Sequence, residues 1–135
     1  MTNGMIHASK SLIEVYPHTA IIEYLGLDYR YEYKVSKKST YKSWSSLTPS
    51  QKQYKLIRNL EYLLNQLSLR VPNIFDHFTK LNSETQYTQA QLKGYEDAID
   101  SVICALTGVD FMLGNVIGFG NNEGTIWVPQ VNKDN

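Results

Sequence analysis

Apolar residues recur at helical spacing in two long stretches of the chain and in shorter runs near its ends. From Tyr54 onward they fall at Ile57, Leu60, Tyr62, Leu63, Leu64 and Leu67, at the spacing of a helix. Thr48-Pro49-Ser50-Gln51 precedes this stripe. It combines a capping threonine, a proline in the first turn and a glutamine at the capping-box position. The pattern predicts a helix to about Leu69, broken by Pro72. A second long helix is predicted from about Thr88 to Leu113, bounded by Gly114, with Ile99, Val102, Ile103 and Leu106 on its apolar side. Ile74, Phe75, Phe78 and Leu81 predict a shorter helix between the two. Near the start, Pro17-His18-Thr19 leads into a short helix through Leu25, closed by Gly26.

The strand signals are fewer. Ser11 to Tyr16 reads as a short buried strand around β-branched Ile13 and Val15, ended by Pro17. Gly124 to Pro129 reads as a terminal strand, reached through a flexible loop of Gly118, Gly120, Asn121 and Asn122. Leu27 to Ser46, dense in Tyr, Lys and Ser, fits either a β-like ribbon or an extended loop. Residues 1–10 are polar and small and are expected to be disordered, leaving one domain over residues 11–130. The class is α/β, a few short strands packed by about four helices. Two short strands make no independently stable sheet. The rest must come from a second copy of the chain, as in a homodimer, or from a larger domain.

Composition narrows the function classes. A chain of 135 residues with 42% hydrophobic and 19% charged residues is an ordinary globular composition. No apolar run approaches the roughly 20 residues needed to cross a bilayer, so no membrane partner is expected. The single cysteine, Cys104, cannot form an internal disulfide and reads as a small buried hydrophobe in a cytoplasmic protein. Net charge is zero but unevenly spread: from Asp28 to Arg58, eight basic residues face two acidic ones, a net of +6, and the remainder carries −6. That asymmetry fits a phosphate-holding surface beside an acidic metal site, and equally a solvated surface with charges sorted by chance.

The candidate chemistry lies in the carboxylates. Asp97 and Asp100 are three apart on a predicted helix and so share a side, one turn from each other. Like charges at that spacing repel unless a cation or basic partner offsets them. Glu14 stands alone in the strand-like run Leu12 to Pro17, as a metal ligand or as an edge charge facing water. Glu96 points elsewhere and reads as surface. His18 is either a phosphate contact or simply a polar residue in a first helical turn. Tyr29, Tyr31, Tyr33, Tyr41 and Trp44, interleaved with lysines, could stack bases or cover a core.

Three segments in this order carry a resemblance: Ile13-Glu14-Val15-Tyr16-Pro17, then Asp97 to Thr107, then Glu123 to Pro129, with Tyr33-Lys34 and Arg58 between them. They resemble the C-terminal half of the domain of unknown function 429 family, predicted nucleases with a ribonuclease-H-like fold. The Asp-x-x-Asp helix is also similar to that of Holliday-junction resolvases of the same superfamily. The resemblance runs from about Ser11 to Pro129. It implies metal-dependent phosphodiester hydrolysis with Mg²⁺ or Mn²⁺ as cofactor, with Glu14, Asp97 and Asp100 as catalytic and metal-binding carboxylates. It also gives Lys34 and Arg58, with His18 nearby, as nucleic-acid contacts.

The sequence departs from that pattern in one place. The superfamily's first metal ligand is an aspartate on an N-terminal hairpin, yet thirteen residues precede Glu14 and none is an aspartate. The expectation is therefore a ribonuclease-H-like fragment with the N-terminal hairpin of the fold missing, incomplete or inactive as a nuclease. The alternative is a non-catalytic homodimeric or nucleic-acid-binding module.

Overall fold

The helix boundaries follow from local chemistry. A computed structural model of the chain describes residues 12–121 and 123–131. The elements, in order, are helix α1 (Pro17–Leu25), 3₁₀ turns at Val35–Lys37 and Lys42–Trp44, helix α2 (Pro49–Ser68), a third 3₁₀ turn at Ile74–Asp76, helix α3 (Gln89–Met112), and strands β1 (Val116–Asn121) and β2 (Gly124–Pro129). The class is mixed α/β. The expected disordered segment, residues 1–10, lies outside the described residues.

Helix α1 begins on Pro17 and stops where Gly26 takes the left-handed conformation (φ 64°, ψ 40°). The Gly26 and Leu27 N–H groups then satisfy the last carbonyls of Glu23 and Ile22. At the start of α2 the predicted capping box is present: Gln51 N–H donates to Thr48 Oγ1 at 3.2 Å and Gln51 Oε1 accepts from Thr48 N–H at 2.9 Å. The same device opens α3, where Thr88 and Gln91 exchange the equivalent bonds at 3.1 and 2.8 Å.

Two compact units divide the chain. One is Glu32–Ile99. Its buried residues include Trp44, Tyr33 and Leu92 with the α2 stripe of Leu56, Ile57, Leu60, Leu63, Leu64 and Leu67. The other comprises the described residues up to Tyr31 and from Asp100 onward. There α1 packs on β2, the Phe111 and Trp127 rings meet edge to face at 4.9 Å, and Tyr24 Oη donates to the buried Asp110 carboxylate at 2.7 Å.

Three expectations are corrected. The Ser11–Tyr16 strand is a single parallel bridge between Glu14 and Ile126, one hydrogen bond from Trp127 N–H to Glu14 O at 3.0 Å. Pro17 diverts the chain into α1 before a ladder can extend. The glycine-rich segment expected as a loop is strand β1, paired antiparallel with β2 from Val116↔Pro129 to Asn121↔Gly124. Gly118 is there to make room. A Cβ on it would stand 2.8 Å from Thr125 Cγ2 and 3.1 Å from the Trp127 ring across the strand pair. Lastly, the helix expected around Ile74 to Leu81 is only the turn Ile74–Asp76, so three α-helices stand among the described residues where about four were expected. Ile74 and Leu81 are buried regardless. A few apolar residues at the right spacing do not offset the cost of nucleating a helix.

Candidate functional site

Helix α3 carries the acidic residues, and its buried stripe sorts them. Leu92, Glu96, Ile99, Ile103, Thr107 and Asp110 are all buried at spacings of three and four. Glu96 is therefore on the core side rather than the surface, its side chain 1% exposed. Its Oε1 accepts the Val35 N–H at 2.7 Å, while Oε2 takes Lys93 Nζ at 2.6 Å and Lys34 Nζ at 3.3 Å. Burial alone would push this carboxyl up, but the three donors outweigh it and hold the pKa below the ordinary carboxylate value. The signal for Glu96 was present in the sequence: it lies four after Leu92 and three before Ile99.

Asp97, the next residue, is turned outward with its side chain 62% exposed, and its Oδ1 pairs with Lys93 Nζ at 2.9 Å. Hydrogen bonds to Glu96 first and Asp97 second raise the Lys93 pKa. Asp100, one turn further along α3, is half-buried. Glu14 lies on the outward side of its extended segment with exposed Leu12 and Tyr16, while Ile13 and Val15 turn inward. Among the described residues no three His, Cys, Asp or Glu side chains gather as an all-protein metal centre would need. Asp97 and Asp100 offer carboxylate oxygens, the ligand type that hard divalent cations prefer. Mg²⁺ keeps several waters and is commonly held through one or two carboxylates plus a substrate phosphate.

A family model described as "Protein of unknown function (DUF429)" matches residues 5–124, most of the chain and all of these carboxylates. The chain belongs to the DUF429 family. No curated protein and no solved structure matches it.

The remaining expected contacts of this DUF429 chain lie on different elements. Lys34 is tied into the fold: its ammonium meets Glu96 and sits 4.8 Å over the Tyr33 ring, and its backbone N–H donates to Tyr41 Oη at 3.0 Å. Arg58 is exposed on α2. His18 is half-buried in the first turn of α1. Of the aromatic residues read either as base-stacking or as covering a core, Tyr33 and Trp44 are fully buried in the core, whereas Tyr29 is 66% exposed. Cys104 is half-buried rather than enclosed, and burial, followed by the charge of Asp100, raises its thiol pKa. That keeps it a thiol and not a nucleophilic thiolate. No helix among the described residues is long and apolar enough to cross a membrane.

Proposed function

We propose that this DUF429 chain supplies three of the carboxylates of a divalent-metal phosphodiesterase site of the ribonuclease-H type, Asp97 and Asp100 as its helix carboxylates and Glu14 as its strand carboxylate, the first-strand ligand of that site being absent from this sequence. The observation that supports the reading is the division of labour on α3. Glu96 meets the structural need for a carboxylate with three donors. Asp97 stands exposed beside it and Asp100 follows one turn on, so neither is buried as a structural acid. A Mg²⁺ or Mn²⁺ ion, when bound, supplies an activated water and steadies the leaving oxygen. The chain's own part is to present oxygen ligands, which these hard cations prefer. Lys93 holds the Asp97 carboxylate from one side.

Isothermal titration with Mn²⁺ tests this. The wild type should bind saturably, and Asp97→Asn and Asp100→Asn should each weaken binding at least tenfold. No binding by the wild type, or binding unchanged in Asp97→Asn, would remove the metal site and with it this reading.

A second reading, a non-catalytic homodimeric module, is favoured by the exposed strand β1. No strand among the described residues pairs with its outer edge, and Ile117 and Phe119 are 44% and 59% exposed on alternate residues. Unprotected apolar edges of this kind take up further strands.

A further inference from the structure

Within the Glu32–Ile99 unit a groove of about 590 Å³ opens between the start of α3 and residues 77–87. That volume lies in the range of small-ligand pockets. Phe78, Tyr87 and Tyr95 give it aromatic walls, the two tyrosine rings meeting edge to face at 6.2 Å. Both tyrosines are held. Tyr95 Oη donates to Thr79 O at 3.0 Å, and Tyr87 Oη accepts the Asn82 N–H at 2.9 Å. The walls are thus set before any ligand arrives, which lowers the ordering cost of binding.

Gly94 lines the groove on its α3 side. A Cβ there would meet nothing within 4 Å, so the helix wall at this point borders open space. Glycine in a helix interior is otherwise unfavourable. The lining residues carry no carboxylate, lysine or arginine. Their polar groups include the Gln91 amide and the His77 imidazole. Gln91 Oε1 is taken by the Thr88 N–H, which leaves its NH₂ as the donor.

We infer that this groove is a binding site for an uncharged planar heteroaromatic ring, specifically a nucleobase. Flat aromatic walls reward a flat ring by stacking. The amide donor and the imidazole match a ring with polar edges, whereas an aliphatic ligand would bury them unpaired. The absence of lining charge disfavours a site built on phosphate or carboxylate. The base could come from a free nucleoside or from a single strand, with the same contacts in either case. The inference does not depend on the carboxylate reading, because none of Glu14, Asp97 and Asp100 lines the groove.

The test is calorimetric titration of the full chain with adenosine in excess chelator, followed by amide NMR shifts. Saturable binding is expected, with shifts concentrated in residues 77–98. Gly94→Leu fills the groove with a better helix former, so it should keep the fold and the circular dichroism while weakening binding at least tenfold. Asp97→Asn should bind adenosine as the wild type does, which separates this site from the metal proposal. An oligoadenylate arm identifies the source of the base: tighter binding than adenosine indicates a strand, equal binding a nucleoside. No saturable adenosine binding, shifts centred elsewhere, or undiminished binding by a folded Gly94→Leu would each overturn the site.

Discussion

At the scale of single residues, the neighbours Glu96 and Asp97 show how one position along a helix separates a buried charge from an exposed one. Glu96 ties the segment at Lys34 and Val35 to α3 through two donors, with Lys93 of its own helix as a third. Glu96→Gln keeps the shape but turns an amide toward two ammonium groups. It should cost about 2 kcal/mol, the usual value of hydrogen bonds to a charged group, measured by urea unfolding. The pH dependence follows from the lowered pKa of Glu96. Such a group stabilises the fold above its unfolded value, near 4.5, and that contribution is lost as pH falls through the lower folded value. The wild type should therefore lose stability on acidification below about pH 4.5, and Glu96→Gln should show a shallower acid limb. The raised Lys93 pKa acts in the opposite direction: its contribution is present below its ordinary 10.5 and is lost as pH rises through the folded value.

At the scale of elements, the long helices were legible because their start signals are local. Thr48 and Gln51 announce α2 in four residues, and Thr88 and Gln91 do the same for α3. Thr48→Ala and Thr88→Ala should each destabilise the protein by about 1 kcal/mol, the ordinary cost of losing a capping hydroxyl, and thermal unfolding of the two variants measures it. What could not be read was set by partners distant in sequence. Gly118 and Gly120 look like loop residues until the Trp127 ring is seen to occupy the space a side chain at position 118 would need. The extended run around Glu14 looks like a strand, but it pairs at one point only. The burial of Glu96 was readable from the 92–96–99–103 stripe, yet its charge argued for the surface. Lys93 is a local partner, but the donors at Val35 and Lys34 that complete the pairing lie some sixty residues earlier.

For the molecule as a whole, membership of the DUF429 family covers residues 5–124 and includes every residue singled out for metal or nucleic acid. The sequence showed which residue types are present but not which of them gather, and the described residues hold no three-ligand cluster. The second functional reading is decided at this scale. If β1 pairs with a second copy, sedimentation should give a mass near twice the chain's 15.5 kDa, and Phe119→Lys should return it to one chain. A wild-type mass of a single chain at all concentrations would end that reading.

The matched capping boxes of α2 and α3 also bear on how the chain tolerates change in length. Each helix takes its starting point, and therefore the assignment of its residues to buried or exposed faces, from four residues at its own beginning. Residues added or removed among positions 82–87 would alter the loop without rotating the Leu92–Glu96–Ile99 stripe away from its partners. An insertion inside α3 between Gln91 and Glu96 would have the opposite effect, turning the buried carboxylate out of reach of the Val35 N–H.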